Sequence, residues 1–283
     1  MVTRNDEHEL RRWSVEQRLT FAANRLFWDG TLQRDDLVRR FGLSPAQATA
    51  DLADLRRALG AGIAYDVSRR AYVPTDATAI PPLDADGLLS QLRRIAEGVL
   101  EPGEGILSAP PPIEIAGYLA RSVDPCVLRA VLWAIRDQSA ISARYVSFQR
   151  PEVTRRRLSP HALVFDGFRW HARAHDAEDG RFKDFVLSRL SEPVATGNAA
   201  ASSQQDAEWQ KHVWLQIAPH PDLTEHQKVV VMMDYGMVDG LLSVRVRQAV
   251  EYYTRRRLGL GPGHERRPPQ EQQIVLASRE AEE

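Results

Sequence analysis

The chain has 283 residues, of which 43% are hydrophobic and 27% charged, and its formal net charge at pH 7 is −1. This length predicts two or three globular domains, and so small a net charge indicates neither a nucleic-acid nor a membrane partner. A single cysteine, Cys126, excludes an internal disulfide, and because no signal-peptide pattern or apolar run of about 20 residues occurs, we expect a cytoplasmic protein without a membrane partner.

Residues 1–78 are predicted to form three helices followed by two short strands. Capping-box spacings at Ser14–Gln17 and Ser44–Gln47 mark the starts of the first and third helices, and Thr31 is expected to cap the second. The two strands, joined by a basic turn, are Ile63–Val67 and Ala71–Val73. This order is typical of a winged helix-turn-helix domain.

The exposed face of the third helix and the tip of the strand pair carry side chains suited to DNA. Polar and basic groups there can reach base edges and phosphates. The residues predicted to bind DNA are Ser44, Gln47, Thr49, Arg56, Arg57, Arg69 and Arg70. A helical domain for protein contacts is the alternative. Because basic and acidic residues nearly balance in this segment, DNA affinity must come from their placement.

Residues 79–123 are predicted to be a connector between the proline runs Pro81–Pro82 and Pro110–Pro112, with one helix near Leu88–Val99. The central domain, residues 124–197, opens with Asp124 as a helix cap. Four antiparallel strands follow, at Ile141–Gln149, Arg155–Phe165, Phe168–His175 and Arg181–Leu190. One helix with short strands predicts a small bent sheet or barrel.

The strand Phe168–His175 alternates between apolar and cationic side chains. We expect Trp170 in the core and the opposite face to carry Arg169, His171, Arg173 and His175. A row of cations repels itself, so an outside anion is expected against it. The predicted ligand contacts, with guanidinium forks for phosphate and a tyrosine to stack on a base, are Tyr145, Ser147, His161, Arg169, His171, Arg173 and Arg189.

These residues also have simpler interpretations. His161 can stabilise the turn beside Pro160, and Arg189 can pair with Asp184 or Asp166. No metal site is predicted, because His171 and His175 would lie ~13 Å apart along a strand.

Residues 198–283 are predicted to begin with a strand at Val213–Ile217. A third capping box lies at Thr224–Gln227, and Lys228–Asp234 can be helix or strand. A helix with its stripe over Val246–Tyr253 is expected to end near Gly259, and the last residues are expected to be disordered.

Several of these segments resemble the WYL-domain transcription regulators. They are Leu158–Ala162, Asp166–His171 and Leu187–Leu190, although of the name-giving tripeptide only Trp170 is kept. The tail resembles the subgroup of CapW and BrxR regulators that control phage-defence operons, through Asp234–Met237, Val244–Arg247 and Tyr252–Tyr253.

The resemblance implies an α+β protein with an N-terminal winged helix-turn-helix, a central Sm-like β-barrel (the WYL domain) and a small C-terminal α/β dimerisation module. It implies a homodimeric repressor that binds double-stranded operator DNA at an inverted repeat. The WYL domain would sense an anionic nucleotide or nucleic-acid-like effector, and no cofactor is expected. The alternative is a nucleotide-hydrolysing or nucleotide-binding enzyme with His161 and His171 as acid and base. Turnover of labelled oligonucleotides would support the enzyme, and binding without turnover the sensor.

Overall fold

A computed structural model describes residues 4–76, 79–80, 83–116, 122–149 and 151–282. The chain divides into two compact units, Met1–Tyr118 and Leu119–Glu283. Pro81–Pro82 and the boundary at residue 78 lie outside the described residues, and the domain boundaries at 78, 123 and 197 stay predictions. In the described part of the chain, no helix is both long and apolar enough to span a bilayer.

The first unit has the predicted order of three helices and a β-hairpin. Its elements are α1 (Arg4–Asp29), α2 (Arg34–Phe41), α3 (Pro45–Leu59), β1 (Ile63–Asp66), β2 (Ala71–Pro74) and α4 (Ala85–Ala96). Leu26, Leu37 and Leu52 are buried in one core, where each helix contributes its apolar stripe. The backbones of Leu32 and Tyr72 bond to each other, which ties the start of α2 to the hairpin.

Two of the predicted caps in this unit are wrong. Ser14 lies inside α1, because the charged residues before it are good helix formers and the helix already begins at Arg4. The cap of α2 is Gln33 rather than Thr31, and Asp36 closes its capping box. The predicted cap of α3 is confirmed, since the Ser44 hydroxyl accepts from the Gln47 backbone N–H at 3.2 Å.

The first half of the second unit is one helix on an antiparallel sheet. The elements are α5 (Pro125–Arg136), β3 (Ser139–Val146), β4 (Val153–Phe165), β5 (Trp170–Asp176), β6 (Arg181–Val186) and β7 (Leu190–Asn198). Asp124 caps α5 as predicted. Val127 and Val131 of α5 pack on Ala172 and Ala174 of β5 in a single core.

The predicted barrel is wrong, because this sheet is open. Its order is β6-β5-β4-β3-β7, with β6 and β7 each paired on one side in the described residues. The sheet has no need to close, since α5 covers one face and residues of the C-terminal half cover part of the other. The strand predicted over Arg181–Leu190 ends at Val186, where a short 3-10 turn at Leu187–Arg189 begins, and β7 was not predicted.

The second half contains α6 (Ala207–Gln210), β8 (His212–Pro219), α7 (Glu225–Asp234), β9 (Leu242–Arg247), α8 (Glu251–Arg257) and β10 (Ile274–Ala281). The strands form a sheet in the order β10-β8-β9. The Thr224–Gln227 capping box is confirmed and resolves the ambiguous segment as helix. Val246 lies in strand β9 rather than on the predicted helix. The expectation that the last residues are disordered is wrong, because β10 pairs along β8.

Candidate DNA interface and buried ion network

The third helix separates a buried stripe from an exposed polar face. Ala48, Leu52 and Leu55 are buried against the rest of the first unit. The predicted DNA contacts on α3 are all exposed: Ser44, Gln47, Thr49, Arg56 and Arg57. The helix is therefore held by one side and presents the other to solvent, as a recognition helix requires.

A buried ion pair fixes α3 against α1. The Arg18 guanidinium donates to both carboxylate oxygens of Asp51, at 2.6 and 3.1 Å. The Gln47 side-chain amide also donates to Asp51, at 3.0 Å. Gln47 is thus exposed but already hydrogen-bonded, and sequence reasoning missed both members of the ion pair that it joins.

The basic residues of α3 differ in how far they are already paired. Arg57 forms an ion pair with Asp54 at 2.9 Å. Arg56, one residue earlier, has no ion pair or side-chain hydrogen bond to any described residue. Of the two arginines, Arg56 is the one whose donors are available to a nucleic acid.

The tip of the hairpin is pre-organised. The Asp66 carboxylate accepts hydrogen bonds from the Ser68 and Arg69 backbone N–H groups at 2.8 and 3.1 Å. The hydrogen bond from the Ser68 hydroxyl lowers the pKa of Asp66 most, and these backbone bonds lower it further, so that it lies below its usual value. Arg70 takes a φ of 50°, in the left-handed region. Arg69 and Arg70 are both exposed at this ordered tip.

In the central domain, Arg173 is buried among three carboxylates. Its Nε and Nη2 donate to the two oxygens of Asp206 at 2.7 and 2.9 Å. Nη2 also donates to Glu208 at 2.8 Å, and Nη1 lies 3.5 Å from Asp184. Only 4% of the side chain is exposed. A buried guanidinium needs such partners, because desolvation of an unpaired charge costs several kcal/mol.

The predicted row of free cations is therefore wrong. His171 lies 3.0 Å from Asp166, which is also 3.8 Å from Arg169. His161 Nε2 lies 3.0 Å from Asp206, the same carboxylate that holds Arg173. Asp166 lies in the turn just before β5, close to its partners in sequence. Asp206 lies at the start of α6, 33 residues after Arg173, and only the fold brings it to the strand.

His175 has no carboxylate partner in the described part of the chain. Its ring stands edge-on to Phe182 at 5.2 Å, and its buried Nδ1 lacks a hydrogen bond. It lines an open cleft of about 770 Å³ together with Arg173, Arg181 and Lys183. The side of the sheet predicted to bind an anion therefore has a cleft, but its innermost cation is already paired.

The remaining predicted ligand residues lie elsewhere. Tyr145 packs on the core side of the sheet, edge-on to Phe185 at 5.1 Å. Tyr145 faces Leu190 across the sheet, beside the half-buried Arg189, and Ser147 accepts from the backbone N–H of Gln149 in the next loop. The structure therefore does not bring these three residues to Arg173.

Trp170 was expected in the core, and this prediction is wrong. It is 47% exposed at the turn end of the β4–β5 hairpin, with its ring 5.0 Å from that of Phe165. The same strand is buried further along on both faces, at Ala172 and Arg173. Simple alternation therefore gives the correct faces of β5 but not the depth of each residue.

Tyr253 of α8 joins this network to the C-terminal half. Its hydroxyl donates to Asp184 at 2.9 Å, and its ring lies 5.0 Å from that of His171. Burial raises the pKa of Tyr253, and the nearby Asp184 charge raises it further. Burial likewise raises the pKa of Asp184, against the opposing effect of Arg173. The Tyr252–Tyr253 pair was noticed in the sequence, but its contact with the sheet was not foreseen.

Asp206 is the centre of the network. Besides holding Arg173 and His161, it caps α6 by accepting from the Trp209 N–H at 3.2 Å. Burial raises the pKa of Asp206, but the bonds from Arg173 and His161 outweigh it and leave the pKa below the usual value. Among the described residues, no group of three or more His, Cys, Asp and Glu side chains could hold a metal ion.

The lowered pKa of Asp206 predicts acid sensitivity. A carboxyl with a lowered folded-state pKa stabilises the fold above its ordinary value of 3.8, and this contribution is lost as the pH falls through the folded-state pKa. Asp184 has the opposite sign, because its raised pKa means that its charge costs stability at neutral pH. We expect Asp206→Asn to lower the free energy of unfolding at pH 7 and to flatten its fall below about pH 4.

Urea unfolding measured at a series of pH values checks this. Asp137→Asn is the control, because Asp137 pairs with Arg136 at an exposed site where solvent screens the pair. An acid limb that is equally steep in Asp206→Asn and in the wild type would contradict the prediction.

Three family models match the chain in order. Residues 14–86 match the BrxR transcriptional regulator winged helix-turn-helix domain, and residues 126–194 the WYL domain. Residues 212–282 match the BrxR transcriptional regulator C-terminal dimerization domain. Together with the fold, they define the class: a winged-helix transcription regulator with a central WYL domain and a C-terminal dimerisation domain.

The relatives agree with this class. A protein of Stenotrophomonas maltophilia described as DNA-binding transcriptional repressor CapW is 37% identical over 275 residues, 95% of this chain and 91% of that protein. Proteins of the same description from Escherichia coli (strain KTE188) and Pseudomonas aeruginosa are 31% and 32% identical, with the same coverage. The chain therefore belongs to the CapW family of BrxR-type, WYL-domain regulators, which confirms the resemblance found in the sequence.

Among solved structures, Proteasome accessory factor B/C (PafBC) of Arthrobacter aurescens aligns with 83% of this chain and 41% of that chain. The identity is 16% and the TM-score 0.30, a likeness too weak to bear on the fold.

Proposed function

We propose that the protein is a homodimeric transcriptional repressor that binds an inverted-repeat operator through α3 and the β1–β2 wing. The observation that carries this proposal is the exposed polar face of α3, where Arg56 has no partner among the described residues, beside an ordered wing that presents Arg69 and Arg70. The names of the CapW relatives support it.

A gel-shift assay on the DNA upstream of its own gene tests the proposal. The expected result is a shift that survives excess non-specific competitor, with a footprint over two half-sites related by two-fold symmetry. A shift that any competitor DNA abolishes equally, or none at low salt, would overturn it.

The homodimer is proposed to form through α7. Val229, Val230 and Met233 are exposed on one side of this helix, and Val238 just beyond it is 73% exposed. Contiguous apolar surface of this kind is typical of a protein interface, and it lies within the segment that matches a dimerisation domain.

Replacing Met233, which is 76% exposed, by glutamate is expected to shift the protein from dimer to monomer, because a charge would be buried at the interface. Light scattering after size-exclusion chromatography measures the mass. Phe148→Glu, at an apolar residue outside this segment that is 89% exposed, should leave the dimer intact. If both variants remain dimeric, α7 is not the interface.

We further propose that the central domain senses an anionic, nucleotide-like ligand at the cleft beside Arg173. Because Asp206 and Glu208 occupy its guanidinium, a phosphate must compete with them. Displacing Asp206 would remove the cap of α6, and Trp209 of α6 stacks under Arg247 of β9 at 4.7 Å. This exchange of partners would connect ligand binding to the C-terminal half.

The operon under control is proposed to be a phage-defence operon, as the resemblance of the tail module implies. A divergent defence operon with an inverted repeat in the intervening DNA would support this. Incubation with labelled oligonucleotides separates the sensor from a hydrolase, because a sensor binds them without turnover.

A further inference from the structure

Three arginines line a second pocket, in the C-terminal half beside α8. They are Arg255, Arg256 and Arg267, and the pocket has a volume of about 590 Å³. Pockets for small molecules commonly measure about 300–1,000 Å³, so a nucleotide-sized ligand fits. None of the residues predicted from the sequence to bind ligand lies here.

The two carboxylates of this pocket are occupied by cations on other elements. Glu208 accepts from Arg173 at 2.8 Å, and Glu251 accepts from Arg279 at 2.9 Å. Each carboxylate therefore also has a cation outside the pocket, and the three arginines that line the pocket outnumber its two carboxylates.

The arginines have donors left to offer. Arg267 donates to the neutral backbone oxygen of Gly259 at 3.3 Å, and Arg255 to that of Leu260 at 3.2 Å. Arg255 also lies 3.6 Å from Glu251. Arg256 is exposed and has no side-chain hydrogen bond or ion pair to any residue that the structure describes. Each guanidinium carries five N–H donors in a planar fork that matches a phosphate, so most remain unused.

The wall between α8 and Arg267 is rigid. Leu260 is fully buried, and the Gln272 amide donates to the backbone oxygens of Leu258 and Ile274. Gly259 has a φ of 74°, and a Cβ there would lie 2.3 Å from the Gln272 side-chain oxygen. Only glycine suits this position. The pocket is therefore pre-formed, which lowers the entropy cost of binding.

Tyr252 adds an aromatic surface to the same pocket. It is 65% exposed, and its ring stands edge-on to that of Tyr253 at a centroid distance of 5.5 Å. An exposed aromatic ring beside guanidinium groups is the arrangement on which a nucleobase stacks while its phosphate is held.

We propose that this pocket binds a nucleotide phosphate, with Arg256 and Arg267 on the phosphate and Tyr252 against the base. A free nucleotide and a nucleotide unit of single-stranded nucleic acid both have this chemistry. The site is distinct from the cleft at Arg173, although Glu208 lines both.

Isothermal titration of the full-length protein tests this with adenosine monophosphate, inorganic pyrophosphate and a single-stranded tetranucleotide. The double variant Arg256→Gln, Arg267→Gln is expected to bind the monophosphate at least about tenfold more weakly. Tyr252→Ala should weaken the monophosphate but not pyrophosphate, and Tyr252→Phe should preserve both. Arg266→Gln is the matched control, because Arg266 is exposed next to Arg267 but outside the pocket.

For the tetranucleotide, the readout is the difference in affinity between the wild type and the double variant, because the winged domain also offers nucleic-acid contacts. A difference with the monophosphate identifies a free nucleotide as the source, and a difference with the tetranucleotide alone identifies nucleic acid. Absence of binding to all three probes would overturn the proposal. An equal loss of affinity in Arg266→Gln would also overturn it. The same holds if Arg181→Gln, at the other cleft, loses affinity and the double variant does not.

Discussion

Replacing Arg173 by leucine is expected to lower the free energy of unfolding of the second unit by about 3–5 kcal/mol. The side chain is 4% exposed, and its loss would leave Asp184 and Asp206 buried without their principal cation. Removal of one partner from a buried ion pair costs more than the pair contributes, because the other charge stays desolvated. Urea denaturation, with hydrogen exchange of β5 and α6 to locate the loss, measures the effect.

The control is Arg245→Leu. Arg245 pairs with Glu282 through two hydrogen bonds at 2.8 and 2.6 Å, but 45% of its side chain is exposed. Its loss should cost far less than the loss of Arg173, since solvent screens the pair. Comparable losses in the two variants would show that the buried network does not hold the second unit together.

A double-mutant cycle with Asp206 refines the result. Asp206→Ala alone should also be strongly destabilising, and the two losses should not add, because each single variant already breaks the same bonds. His161 would retain no carboxylate in the double variant, since Asp206 is its partner. Simple additivity would mean that the two residues act independently.

Replacing Arg56 by alanine is expected to weaken operator binding by about 1–3 kcal/mol, or about 5- to 150-fold. Its guanidinium is exposed on α3 and has no partner among the described residues, so no internal bond must break before it reaches a base. Gln47→Ala should cost less, because the Gln47 amide is already bonded to Asp51. Quantitative gel shifts on the operator measure both.

Arg93→Ala is the control for general charge. Arg93 is exposed on α4, away from the recognition helix and the wing in sequence, and it pairs with Glu97. It should change operator affinity little. Arg70→Ala, at the wing tip, should instead weaken all sequences alike and reduce the salt slope by about 1, as a phosphate contact does. Equal effects of Arg56→Ala on operator and random DNA would contradict its role at a base.

The helices of this protein were predictable because their signals are local. The Ser44, Asp124 and Thr224 caps lie where the structure has them, since a cap bonds a backbone N–H two or three residues away. The winged order followed from the same signals. The Ser14 box failed for a related reason: the spacing alone does not show whether the preceding residues are already helical.

The strands were less predictable because a strand is defined by its partner. β10 is a strand through its pairing with β8, more than fifty residues earlier in the chain. A charged C-terminal segment has little in its own composition to indicate this. The open order of the central sheet likewise depends on which elements cover its faces, and a list of strands does not contain that information.

The amino-acid sequence by itself determined the family, through segments that resemble its members. It also determined the winged domain and the residues exposed on its recognition helix, because those depend on short spacings and on helical periodicity. Only the tertiary structure decided which cations of the central sheet are paired with carboxylates. Arg173 and Asp206 are 33 residues apart, and only folding brings them to 2.7 Å. Alternation along β5 placed its cations on one face. Whether each cation is neutralised depends on its distance in space from a carboxylate, and those carboxylates come from the start of α6 and from the turn before β5.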